Sequence, residues 1–231
     1  MQYALQGIEV LSYSIRNSKL GFFTMQVKLL NGKGEVERKT IFMRGPCVAM
    51  LVMLIPDDKE EQEERYVLFV EQPRFAAGSL VFRELPAGMV EENEDLEVAA
   101  AREIQEELGL EVEVDKLRNL TELVTGGTSD SPAPSGTGTI AELEKLPNAI
   151  YPSVGGCDEN ITYFAYEHKL SRTELKELDG RHKGLEQENE RITVRVVPMR
   201  DLVRECLRDS KALNAKALWD AYKPRRKCEV T

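Results

Sequence analysis

Three glutamates, Glu103, Glu106 and Glu107, stand within five consecutive residues behind one arginine, Arg102. At about 100° per residue, a helix places them within about 100° of one another on one face. Carboxylates so arranged repel one another unless something positive lies among them. The usual answer on a surface helix is paired lysines, but residues 88–110 hold eight acids, no lysine and a single arginine. Hard divalent cations with oxygen ligands suit such a face, Mg2+ above all, because it keeps several waters and takes substrate phosphates as ligands. Arg102 is placed to orient a glutamate through a bidentate contact.

A helix over Leu96–Leu108 must carry these side chains. Asn93 or Asp95 is its N-cap, and Gly109 is the residue able to turn out of it. Ala100, Ala101, Ile104 and Leu108 supply an apolar face to fix it against a sheet. Strands are expected around it: Gly7–Ile15, Gly21–Leu30 and Val36–Met43, with an Asn31-Gly32 hairpin signal between the last two. Further strands are expected at Cys47–Ile55, Tyr66–Glu71, Ile161–His168 and Thr193–Val197, and Val112–Val124 reads as extended. A closing amphipathic helix over about Asp201–Tyr222 carries Trp219, the only tryptophan, as a packing residue. Thr125–Thr139 reads as a mobile loop or as one that covers substrate, the charged Asp57–Arg65 reads as a solvated loop, and Ser171–Arg191 is highly charged without a legible role. His168 and His182 have no partner pattern that suggests catalysis.

The 231 residues carry a formal charge of −9 and 42% hydrophobic content. That is enough for a core and too apolar for a disordered chain, so a soluble globular protein is expected. The acid excess argues against nucleic acid as a partner. The one dense basic run, Lys223–Lys227, reads as a solvated tail. Cys47–Ile55 is about half the length of a membrane-spanning helix, which argues against a membrane span. The start of the chain lacks the pattern of a secretory signal. Cys47, Cys157, Cys206 and Cys228 have no CxxC or zinc-like spacing and fit reduced thiols in a cytoplasmic protein.

The stretch Gly88–Leu110, GMVEENEDLEVAAAREIQEELGL, resembles the Nudix box at every fixed position: Gly88, Glu94, Arg102, Glu103, Ile104, Glu106, Glu107, Gly109 and Leu110. The resemblance implies an α/β/α sandwich with a mixed sheet over residues 45–231. It also implies metal-dependent cleavage of a nucleoside diphosphate linked to another group. Mg2+, with Mn2+ as a substitute, would be held by Glu103, Glu106, Glu107 and the Ala87 carbonyl, with Glu106 and Arg102 counted among the catalytic residues. Gly88 permits a close backbone approach or an unusual φ beside them.

Two flanking stretches, VEQPR (Val70–Arg74) with ELPAG (Glu84–Gly88), and SVGGCDE (Ser153–Glu159), resemble the ADP-ribose and ADP-sugar pyrophosphatases. This implies a nucleoside diphosphate sugar as substrate and a homodimer built through a β-rich segment, residues 1–44. By the same resemblance Glu159 is the general base, with Asp158 as the fallback. Arg74 is a contact to the substrate diphosphate, where a planar guanidinium suits phosphate, and Glu84 and Gly88 lie near the ligand. UDP-sugars, NADH or dinucleotides are competing substrates. A module that binds ADP-ribose without cleaving it is a competing role, disfavoured by the intact box.

Overall fold

The computed structural model describes residues 3–16, 19–58, 64–125, 146–184 and 191–222. Residues 126–139 of the polar loop, the basic run 223–227 and Cys228 lie outside the described residues. The chain forms two compact units, Met1–Cys47 with Ile150–Ile161, and Val48–Ala149 with Thr162–Thr231.

The first unit is built on an antiparallel sheet of β1 (Tyr3–Arg16), β2 (Lys19–Asn31) and β3 (Val36–Met43), in that order. The hairpin expected at Asn31-Gly32 is present but longer than two residues. The Asn31 side-chain oxygen accepts from the backbone N–H of Lys33 (2.9 Å) and Glu35 (3.0 Å), and Gly34 rather than Gly32 takes the left-handed conformation, at φ 81°. An asparagine that mimics a backbone turn can build the bend with its own side chain. Leu5, Ile8, Val10, Tyr13, Ile15 and Leu20 are each more than half exposed on this sheet.

The second unit is a mixed sheet in the order β10-β11-β5-β4-β9-β8, with β6 on β5 and β7 on β4. Its strands are β4 (Pro46–Pro56), β5 (Tyr66–Arg74), β6 (Ser79–Glu84), β7 (Ala87–Met89), β8 (Arg118–Asn119), β9 (Asn160–Leu170), β10 (His182–Lys183) and β11 (Ile192–Pro198). Alternation along β4 sends Val48, Met50, Val52 and Leu54 into one cluster with Ile104 and Leu108. Ala49, Leu51 and Met53 point to the opposite face and are fully buried as well. A strand buried on both faces explains the continuous apolar run that its sequence shows.

Helix α1 (Leu96–Leu108) runs as expected. Asp95 is its N-cap, in an extended conformation, while Asn93 is held at φ 64° in the turn before it. Gly109 ends the helix at φ 68° and donates to the Gln105 carbonyl. A Cβ there would meet the Lys183 ammonium at 2.5 Å, so the glycine also lets a cation close over the negative end of the helix. The apolar face is Ala99, Ala100, Ile104 and Leu108; Ala99 takes the fully buried place expected of Ala101. Each large side chain buried there contributes about 1.5–3 kcal/mol.

Two expectations are corrected. Val112–Val124 is not extended: after a short 3-10 turn and β8, it becomes helix α2 (Leu120–Thr125). Asn119 caps that helix by accepting from the Glu122 N–H at 3.0 Å, a local signal that outweighs the β-branched residues beside it. The closing helix is also not continuous. A 3-10 turn at Met199–Asp201 and α4 (Leu202–Glu205) stop short, and α5 (Ser210–Tyr222) begins afresh behind Asp209. The charged stretch after β9 contains α3 (Arg172–Leu178), closed by a reciprocal Ser171–Glu174 capping box. Trp219 is buried, with the Arg65 guanidinium 5.4 Å from its ring centre.

Candidate active site

The turn Glu84–Gly88 brings the backbone against α1. The Ala87 N–H donates to Glu107 Oε2 at 3.1 Å. Gly88 lies so close to Glu103 that a Cβ would sit 1.8 Å from its carboxyl carbon. The glycine is therefore required by proximity and not by its backbone angles. The Pro86 carbonyl accepts from the Met50 N–H at 2.9 Å, which ties the turn to the central strand β4.

Arg102 organises the acids. Its Nε and Nη2 fork onto the two oxygens of Glu94, at 2.9 and 3.0 Å. Nη1 reaches Glu103 Oε1 at 2.8 Å and Glu106 Oε2 at 3.2 Å, and Nη2 also donates to the Met89 carbonyl at 2.9 Å. The bidentate partner is thus Glu94, a fixed position of the box to which the sequence reading gave no role. The bond from Arg102 holds the Glu94 carboxyl below the usual carboxylate range against the effect of burial. The same acids hold Arg102 firmly protonated.

The donor set around α1 is all oxygen: carboxylates of Glu103, Glu106 and Glu107, with the Ala87–Gly88 backbone alongside. Glu103 and Glu107 are buried and Glu106 partly so. Among the described residues no three acidic, thiol or imidazole side chains stand close enough together to hold a metal ion as they are placed. Arg102 holds two of the carboxylates and the Ala87 N–H takes the third. In chemistry, an all-oxygen donor set of this kind suits a hard divalent cation, with the Glu103 carboxylate seated against Gly88.

The second group of expected residues is ordered by charge. Arg74, at the end of β5, gives its Nε to Glu84 Oε1 at 2.5 Å. Glu84 is almost fully buried, and its other oxygen takes the Lys211 ammonium at 2.8 Å. Lys211 also meets Asp209 at 3.1 Å. Asp209 accepts in turn from the N–H groups of Leu85 (2.8 Å), Lys211 (3.0 Å) and Ala212 (3.2 Å), so one carboxylate caps α5 and holds the turn before Gly88. Neither Asp209 nor Lys211 was found by sequence reasoning. The available signal was an Asp-Ser pair at the start of a helical run, hidden because the helix was drawn through it.

Glu159 and Asp158 belong to the first unit. Glu159 lies 2.8 Å from Arg44 Nε, a Coulombic contact in which the N–H is not aligned for a hydrogen bond. Arg44 also covers the Phe22 ring, 5.4 Å from its centre. Asp158 accepts from the backbone N–H of Arg44 (2.6 Å) and Gly45 (3.1 Å). Its carboxylate is engaged in holding the chain, whereas Glu159 meets a side chain. His182 faces Thr193 across a strand pair, at 3.2 Å. Cys47, Cys157 and Cys206 form no disulfide among the described residues. No helix among the described residues is long and apolar enough to cross a membrane.

Residues 45–216 match the NUDIX domain, and that span takes in the turn, α1, Arg74 and the Asp209–Lys211 contacts. The chain belongs to the Nudix family. It is 29% identical over 221 residues to Nudix hydrolase 14, chloroplastic, of Arabidopsis thaliana, covering 95% of this chain and 62% of that relative. The chain therefore spans less than two thirds of that relative's length. It is 30% identical over 208 residues to the ADP-ribose pyrophosphatase of Haemophilus influenzae, covering 84% of this chain and 76% of the relative. The fold also matches the crystal structure of an ADP compounds hydrolase, with a TM-score of 0.56 over 96% of this chain and 94% of the other, at 16% identity. The Nudix sandwich expected from the box is thus the fold observed.

Proposed function

We propose that this chain hydrolyses the diphosphate bond of a nucleoside diphosphate sugar, with ADP-ribose or another ADP-sugar favoured, giving a nucleoside monophosphate and a sugar phosphate. The observation that carries the reading is the α1 face itself: Arg102 gathers Glu94, Glu103 and Glu106 beneath a glycine turn, in a stretch, residues 88–110, that contains no lysine. The names of the ADP-ribose pyrophosphatase and ADP compounds hydrolase relatives favour an adenine nucleotide over the alternatives.

Glu103, Glu106, Glu107 and the Ala87 carbonyl would hold Mg2+ or Mn2+. When bound, the cation supplies charge neutralisation of the diphosphate and a water of lowered pKa. Arg102 fixes the rotamers of Glu103 and Glu106, so little reorganisation is left for the reaction. Arg74 presents its guanidinium to the diphosphate, and Glu159 is the general base that the SVGGCDE resemblance implies.

The exposed apolar residues of β1 and β2 support a homodimer through the N-terminal sheet. The four cysteines, scattered without paired or zinc-like spacing, support a cytoplasmic location. The deciding experiment incubates the protein with ADP-ribose, ADP-glucose, UDP-glucose and NADH in Mg2+ and separates the products by chromatography. AMP and ribose 5-phosphate from ADP-ribose are expected. Tight binding of ADP-ribose without any cleavage would replace this reading with that of a binding module.

A further inference from the structure

Glu84 is buried between two cations that reach it from different elements. Arg74 Nε takes Oε1 at 2.5 Å, and Lys211 Nζ takes Oε2 at 2.8 Å. A carboxylate and a guanidinium left to themselves prefer the two-bond fork that Arg102 makes with Glu94. Arg74 does not make it: its side chain is 43% exposed, it bonds Glu84 through Nε alone, and its Nη groups make no hydrogen bond among the described residues. The difference lies in the occupant of the second oxygen.

Lys211 is fixed for this task. Asp209 touches its ammonium at 3.1 Å, and the Lys211 side chain is only 17% exposed. Burial alone would favour the neutral amine, but Asp209 and Glu84 outweigh it and keep the group cationic. Its backbone is pinned too, because Asp209 caps the first turn of α5 and binds the Leu85 N–H in the residue next to Glu84.

We propose that Lys211 is a positioning residue: by occupying Glu84 Oε2 it confines Arg74 to a single bond and leaves the two Nη groups of Arg74 free to meet a phosphate. This rests on Arg74 being the diphosphate contact of the proposed function, but the hydrogen-bond arrangement itself can be read without substrate. Removing Lys211 lets Arg74 fork onto both oxygens and turns its outer nitrogens inward. Pairing Lys211→Met with Glu84→Gln removes the second carboxylate oxygen, so Arg74 regains its freedom, while Asp209 keeps its three backbone N–H donors.

The test is rotation about the Arg74 guanidinium C–N bonds, followed by NMR of arginine-labelled protein without ligand. Lys211→Met should slow that rotation by about tenfold, the worth of one added hydrogen bond. Lys211→Arg and the Lys211→Met/Glu84→Gln pair should both return it to the wild-type rate. In steady state with ADP-ribose and Mg2+, Lys211→Met should raise KM about tenfold while kcat changes less than about threefold, and Lys211→Arg should restore KM. Equal Nη rotation in the wild type, Lys211→Met and the double variant overturns the proposal. An Lys211→Met protein that only melts earlier, with KM unchanged, overturns it as well. If the wild type cleaves nothing, the proposed function fails while the rotation rates still decide this point.

Discussion

Gly88 and Glu103 are locked by distance: a methyl group on residue 88 would overlap the Glu103 carboxylate at 1.8 Å. Gly88→Ala must therefore expel that carboxylate from its place beside the turn. We expect turnover to fall at least ~100-fold, equivalent to about 2.7 kcal/mol, with the far-UV circular dichroism unchanged. Normal turnover in Gly88→Ala would show that Glu103 is not needed where it stands.

Glu103→Gln and Glu107→Gln keep the shape of α1 and remove charge. Each should lower turnover by ~100-fold or more, and excess EDTA should abolish wild-type activity until Mg2+ is returned. Full activity in chelator, or in either variant, rules out the metal assignment.

Arg102 serves three carboxylates and one carbonyl at once, with donors spread over a planar fork. A lysine cannot copy that arrangement. Arg102→Lys should thus be nearly as inactive as Arg102→Ala, and both should melt below the wild type by calorimetry. Recovery of activity by lysine would mean that only the positive charge matters.

Glu71 predicts an acid limb of stability away from the active site. Burial pushes its carboxyl up, but Arg195 and Arg83, bonded to it at 2.6 and 2.7 Å, outweigh that and hold it below its ordinary 4.5. The unfolded chain therefore binds the proton first. The stabilisation is complete above about pH 4.5 and is lost as pH falls through the depressed folded value. Glu71→Gln should cost about 2 kcal/mol at pH 7 and flatten the dependence in urea melts below that point. Parallel acid limbs for both proteins would assign the loss to other groups.

Ile8 and Val10 lie on one face of β1, each more than half exposed. The wild type should elute at twice its 26.1 kDa chain mass in light-scattering chromatography, and Ile8→Glu with Val10→Glu should elute as the single chain. A wild-type monomer would remove the homodimer.

Helix α1 was legible because its signals are local. The periodic apolar face, a cap, Gly109 and the glutamate spacing all lie within Gly88–Leu110. The Glu84–Lys211 bond was not legible, because 127 positions separate the partners and nothing in either segment points to the other. Asp209 was lost for a related reason: an apolar stripe reads across a helix break unless the cap is given more weight than the period. Asn119 repeats the lesson in α2, where a short side-chain bond overrides the strand-like composition around it. The fork partner of Arg102 was hidden by chemistry instead of distance, since several nearby glutamates could each have accepted it.

The chain leaves the first unit at Cys47 and returns to it for Ile150–Ile161, where Gly156 and Asp158 bond Phe42, Arg44 and Gly45. That return makes the amino-terminal sheet part of a knit fabric and not a detachable prefix. A shortened chain starting at residue 48 would leave the Asp158 carboxylate without its two backbone donors and Glu159 without Arg44. Insertions should accordingly be tolerated better at the β2–β3 turn than at the junction that follows β3. Gene fusions, tags and recombination breakpoints placed at that junction would sever one folded piece from its own second strand of sequence.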